Sequence, residues 1–318
     1  ATVEGNMSPS EVIVIGGHHD AIISDIESAF ETAPGVDDNG SAVAASLEIA
    51  RVFALNGYQS EKTIKFATFA AEELGLHGSH HFAEQALQNN MNIKAMINMD
   101  MIANIQSTDD WNITFQNYEG SEWLTATGHY IAENFTSLNP SDVNNNSAYS
   151  DSYPFYARGF PAIFLQEYEF SPVYHSPEDL LINCDVDYCA EITKVACGML
   201  VHVDMVPTSV NELTIRNTGD GESVDLFYNS DISADFSTYK IYLGQVSGTY
   251  DQTFETTEDQ YTITGLENGT EYFIGVSIAD TDGNESLITE FSKTVVDMSL
   301  DQGILIVDDA EGGFNDPE

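Results

Sequence analysis

Behind Glu11, residues Val12-Ile13-Val14-Ile15 form an unbroken β-branched run. A strand without polar alternation has to be covered on both faces, which is the habit of parallel sheets flanked by helices. The rest of the N-terminal two thirds agrees. Residues 63–69, 93–101, 111–117 and 160–166 read as further strands, and 41–55, 79–88, 122–134 and 186 to about 203 as helices; Asn56-Gly57 closes the first of these helices. Strands alternating with helices predict an α/β domain in which a mostly parallel, mixed sheet lies between helices. In such sheets ligands bind outside the carboxyl ends of the strands.

Those ends carry the chemistry. The first run finishes in Gly16-Gly17-His18-His19-Asp20, where two glycines let the chain turn and present an imidazole, and Asp20 stands ready to accept the other ring N–H of His18. Asp37 and Asp38 sit in a turn-rich loop before a helix. Glu72 and Glu73 follow the strand 63–69, and one of two such neighbours can bind a metal while the other faces its water. Asp100 ends an apolar run, a costly place for a carboxylate without a counter-charge. His175 lies in a loop before the last helix. His18, Asp37, Glu73, Asp100 and His175 together are the ligand set expected of a pair of zinc ions.

The series Gly17-His18-His19-Asp20, Gly35-Val36-Asp37-Asp38, Ala71-Glu72-Glu73-Leu74-Gly75, Asn98-Met99-Asp100-Met101 and Tyr174-His175-Ser176-Pro177-Glu178-Asp179 resembles the M28 family of di-zinc aminopeptidases, the bacterial leucyl aminopeptidase type. The resemblance covers roughly residues 11–203 and implies the zinc-peptidase fold. It implies that Asp37 bridges two zinc ions, His18 and Asp100 completing one and Glu73 and His175 the other. Glu72 would be the general base, Asp20 the partner of His18, and the Asp37–Asp38 peptide cis. Met101, Phe164, Phe170 and Tyr174 would line an apolar pocket for the first side chain, with ordinary core positions as the alternative. Two departures stand out: Ser152 occupies a place where the family commonly has histidine, and the usual first strands and helix are absent before Ala1. His19, His77, His80, His81, His129 and His202 are expected at the surface or in packing.

From about Val206 the pattern changes to short strands separated by turns such as Gly219-Asp220-Gly221 and Asp282-Gly283-Asn284, which predicts a β-sandwich. Residues 239–243 and 261–272 resemble a fibronectin type III domain, with Tyr272 at its tyrosine corner and Phe227-Tyr228 where a tryptophan is common. Such modules act as spacers or in adhesion. Residues 280–284 suggest calcium or a hairpin turn, and lacking the later bidentate acid the turn is the better reading. Residues 303–309 look like the first strand of another α/β unit. The expected division is 1–205 catalytic, 206–297 sandwich, and 298–318 linker plus the start of a further domain.

The chain has 52 acidic against 9 basic residues, a net charge of −43. That field disfavours nucleic acid and anionic membranes as partners, and no run is long and apolar enough to span a bilayer. A start without an initiator methionine and a final strand cut short suggest a piece of a longer, exported protein, acting as a monomer on peptide N-termini outside the cell. Cys184, Cys189 and Cys197 leave open a Cys184–Cys189 disulfide or three thiols. Alternatives to an aminopeptidase are a carboxypeptidase or glutaminyl-cyclase-like enzyme on the same fold, or an inactive binding module.

Overall fold

The computed structural model describes residues 1–24, 32–106, 111–229 and 235–298, and the chain divides after Val206 into two units. The expected strand at 303–309 and the linker from 299 lie outside the described residues.

In the first unit seven strands make one sheet: β1 (Thr2–Val3), β2 (Ser8–His18), β3 (Lys62–Phe69), β4 (Asn92–Met99), β5 (Asn112–Asn117), β6 (Asn139–Asn144) and β7 (Ala162–Glu167), in the order β1-β3-β2-β4-β7-β5-β6. β3, β2, β4 and β7 run parallel, whereas β5 is antiparallel to β7 and parallel to β6. The sheet is therefore mixed around a parallel centre. The run at residues 12–15 of β2 is buried on both faces. Ile13 and Ile15 pack with helices α1 (Ala42–Asn56), α3 (Glu122–Phe135) and α5 (Val186–Met205), while Val12 and Val14 pack on the other side with Ala83 and Ala86 of α2 (His77–Gln88) and with Phe155 of the short α4 (Tyr153–Tyr156).

Gly16 and Gly17 prove to lie inside β2 rather than at a turn after it. Their use is close approach. A Cβ at Gly16 would fall 1.7 Å from the Ala67 carbonyl oxygen, and one at Gly17 2.3 Å from that of Met99, so neither position admits a side chain. The glycines let three central strands close up next to His18. β1 stands where residues 1–5 read as the tail of a strand entering a turn, whereas β6 carries too little apolar pattern to be read from the sequence. They take edge places, and β6 is largely exposed.

α1 stops at Gly57, whose φ of 62° suits a residue without Cβ. α5 starts on Asp185, whose carboxylate accepts from the amides of Asp187 and Tyr188. At the other end of α5, buried Asp204 accepts from Tyr58 Oη, Ser60 Oγ and the amides of Glu61 and Lys62. This fastens the helix to the strand that leads to Glu72 and Glu73. Cys184, Cys189 and Cys197 are all free thiols.

The second unit is all antiparallel. Its four-stranded sheet has the order β11 (Gln252–Thr256), β10 (Phe236–Gly244), β13 (Glu271–Asp280), β14 (Thr289–Thr294); its three-stranded sheet runs β12 (Gln260–Thr264), β9 (Ser223–Asn229), β8 (Asn211–Asn217). Val224, Leu226, Tyr239, Ile241, Ile263, Ile274 and Val276 are among the residues of its core. Tyr272 is buried and its hydroxyl accepts from the Glu267 amide. Asp280 accepts from the amides of Asp282 and Asn284 and from Asn284 Nδ2, so residues 280–284 form a self-satisfied turn.

Candidate metal centre and active site

His18 is the last residue of β2 and is almost wholly buried. Its Nδ1 lies 3.0 Å from the main-chain oxygen of Asp20 and 3.7 Å from the Asp20 carboxylate. The orienting group is thus a carbonyl, not the carboxylate expected from the sequence. The carboxylate is engaged elsewhere, its two oxygens accepting from the amides of Glu72 and Glu73 at 3.1 and 3.3 Å. Asp20 fixes the loop on which both glutamates sit.

Asp37 and Asp38 exchange the places expected of them. His18 Nε2 is 3.2 Å from one oxygen of Asp38, and His175 Nε2 is 3.1 Å from the other. Asp37 turns away, its Oδ1 accepting from the Ala103 amide at 2.8 Å, while burial raises its pKa to about 6. The place between the two imidazoles, expected for Asp37, therefore belongs to Asp38, and the cis peptide joins Asp38 to Asn39 instead of Asp37 to Asp38. Within the turn Val36–Ser41 the backbone leaves helical values at Asp38 and Asn39, and this sends successive side chains in opposite directions. Asp179 holds the turn from outside, accepting from the amides of both aspartates. From inside, Asn39 ties it to β4 and beyond, donating to the Met99 carbonyl and accepting from the Met101 amide.

Around Asp38 the remaining donors fall into two groups. His18, Asp38 and Asp100 form one; Asp38, Glu73 and His175 form the other; in each, one ligand atom per residue lies within 4.8 Å of the rest. His18 Nε2 is 3.4 Å from Asp100, and His175 Nε2 is 2.9 and 3.0 Å from the two oxygens of Glu73. Tyr174 stacks on the His175 ring at a centroid distance of 3.6 Å. Glu72 stands beside the pair, its carboxylate 3.9 Å from His18 Nε2.

The electrostatics follow from crowding four carboxylates and two imidazoles in a buried place. Burial alone would lower the pKa of His18, but Asp100, Asp38 and Glu72 push it up to about 12. Burial, reinforced by Asp100, raises Glu72 to about 9; burial and Asp38 raise Glu73 to about 7. Asp38 goes the other way, because its hydrogen bonds to His175 and His18 outweigh burial and lower it. Left to itself the cluster balances its negative charge by retaining protons. A divalent cation would do so better, and a mixed imidazole and carboxylate donor set suits zinc.

One contributor, Ser150, was not singled out from the sequence. Ser150 donates to Asp100 Oδ2 at 2.6 Å and accepts from Asn98 Nδ2, holding that carboxylate in place. Ser152, where histidine was the family expectation, is buried and bonded to Tyr118 Oη at 2.8 Å. A cavity of about 370 Å³ opens on the cluster and is lined by all four expected pocket residues, Met101, Phe164, Phe170 and Tyr174. Of the other histidines, His19 is exposed on the loop, His80 contacts Arg158, and His129 pairs with Asp142 at 2.6 Å.

A helix-flanked mixed sheet with a histidine and carboxylate cluster at its strand ends is the architecture of zinc aminopeptidases. The model of peptidase family M28 matches residues 1–200, and the chain belongs to that family. It is 29% identical over 208 residues to a probable aminopeptidase of Saccharomyces cerevisiae, covering 63% of this chain and 55% of that one. Over 109 residues it is 40% identical to a probable zinc metalloprotease of Pyrenophora tritici-repentis, covering 34% of this chain and 25% of the relative. Among solved structures, an aminopeptidase from Aneurinibacillus sp. strain AM-1 superposes with a TM-score of 0.52 at 26% identity, covering 64% of this chain and 46% of that one. The chain spans from a quarter to just over half the length of these curated relatives.

Proposed function

We propose that the first unit is a di-zinc aminopeptidase that removes an apolar, leucine-like residue from peptide N-termini. The observation that carries this reading is Asp38, whose two oxygens each face a different imidazole with Glu72 alongside. In it, His18, Asp38 and Asp100 hold one zinc ion, and Asp38, Glu73 and His175 the other. Bound zinc supplies Lewis acidity toward water and toward the scissile carbonyl.

The protein's own groups do the rest. Glu72, set by Asp20 and facing the cavity, takes the proton of the attacking water and returns it to the leaving amine. Met101 and Phe164, both buried, and the more exposed Phe170 and Tyr174 offer the first side chain an apolar wall. The second unit we read as a fibronectin type III-like spacer, a reading supported by its antiparallel sheets and by Tyr272, and the whole as an extracellular protein.

The test is hydrolysis of leucyl-, lysyl- and alanyl-p-nitroanilide by the zinc-loaded protein and its Glu72→Gln variant. Leucyl turnover that chelation abolishes, and that the variant lowers by about 10²- to 10⁴-fold, is expected. Zinc uptake without turnover of any substrate would reject the aminopeptidase reading in favour of a binding module.

A further inference from the structure

The cavity over the cluster has the carboxylates of Asp38, Glu72, Glu73 and Asp100 and the imidazole of His18 on its walls; the rest of its lining is amide, hydroxyl, aromatic and thioether side chains. Behind it lie Asp20, accepting from the amides of Glu72 and Glu73, and Asp179, accepting from those of Asp37 and Asp38. None of the first unit's lysines and arginines, all of which are among the described residues, lines the cavity. Arg51, Lys94, Arg158 and Lys194 pair with glutamates elsewhere, and Lys62 donates to the main-chain oxygen of Asp204.

A carboxylate that enters such a space gives up water and meets no lysine or arginine to replace it. The charge of the zinc pair proposed above is matched by the carboxylates that line the cavity, which leaves no surplus for a further anion. The chain's net charge of −43 adds to the repulsion. For an ammonium or guanidinium group the same field is attractive.

We propose that the cavity selects against carboxylates close to the scissile bond. It takes peptides whose second residue is neutral or basic and whose C-terminus is amidated or lies further along, and it rejects acidic second residues and free dipeptides. This rests on the aminopeptidase reading and narrows its substrate class. It also sets the chain apart from a carboxypeptidase, which has to hold a terminal carboxylate.

The test measures kcat/KM of the zinc-loaded chain for leucyl-lysyl-glycine, leucyl-alanyl-glycine and leucyl-aspartyl-glycine, and for leucyl-alanine against its amide, at low and high salt. Tyr149 is 85% exposed on the cavity wall, and Tyr149→Lys supplies a cation there without opening the core. The lysyl and alanyl peptides are expected to exceed the aspartyl one by about fivefold or more at low salt, and the amide to exceed the free dipeptide by as much. Both gaps should shrink at high salt and narrow in Tyr149→Lys, folded by circular dichroism. Aspartyl and alanyl peptides within about twofold of each other in the wild type, or gaps unchanged in the variant, would overturn the proposal. If leucyl-p-nitroanilide is not hydrolysed, the aminopeptidase reading fails by itself. Calorimetric binding of the same peptides then decides: weaker binding of the aspartyl peptide upholds the charge selection, and equal affinities or no binding remove it.

Discussion

The two units bury polar groups in opposite ways. In the second, buried polar side chains are answered locally: Asp280 takes three N–H groups from its own turn, Ser277 donates to Glu285, and Ser223 to Asp220. In the first, His18, Asp38, Glu72 and Asp100 are buried against one another. Every buried side-chain oxygen or nitrogen that lacks a hydrogen-bond partner among the described residues belongs to this unit. Polar groups left unanswered by the protein cost stability, and folds tolerate them where a ligand answers instead. Of the residues that carry these atoms, Asp38 and Gln116 line the cavity.

The largest effect is expected from the pair that the sequence could not separate. Asp38→Asn should abolish zinc-dependent peptide hydrolysis and weaken zinc binding by more than about 100-fold, whereas Asp37→Asn should leave binding within about tenfold. Equal losses in the two variants would show that the contrast between the neighbours is wrong. Proton release comes next. His18 and Glu73 have folded-state pKa values of about 12 and about 7, so both hold protons at pH 5 to 6 and zinc must displace them. Zinc affinity should therefore rise with pH from about 5 to 8, with proton release visible by calorimetry in buffers of different ionisation enthalpy. A flat profile would contradict the charge crowding described.

A smaller effect should come from Glu167, which burial, with Asp37 against it, raises to about 11. A carboxyl with a raised folded-state pKa contributes its full stability below the unfolded value near 4.5, and loses it as pH climbs towards 11. Glu167→Gln keeps a donor for Asp37 without holding a proton. The variant should be more stable than wild type by about 1 to 3 kcal/mol at pH 7 to 8 and no more stable at pH 4, by denaturant unfolding at each pH. Smallest is Asp280→Ala, which removes the acceptor from a satisfied turn. It should cost about 1 to 2 kcal/mol and leave zinc uptake unchanged; altered uptake would erase the distinction between the units.

Much of this was legible because hydrophobic burial and period write themselves into sequence. The two-face burial of β2 follows from four β-branched residues in a row, and strands of that kind end where His18, Glu73 and Asp100 stand. Which aspartate bridges was not legible, since adjacent side chains diverge by an amount set by backbone angles at Asp38 and Asn39, and spacing carries no trace of those. Nor was the exchange of roles at Asp20, whose carbonyl and carboxylate are both within reach of the same loop. Ser150, Asp179 and Glu167 act through contacts 50 to 142 residues away in sequence. β6 escaped because an exposed edge strand needs no apolar alternation.

The most direct measurement is the zinc content of the dialysed chain by atomic emission, wild type against Asp38→Asn. The shared carboxylate predicts two ions per wild-type chain and at most one in the variant. One ion in the wild type, or two retained in the variant, would contradict it.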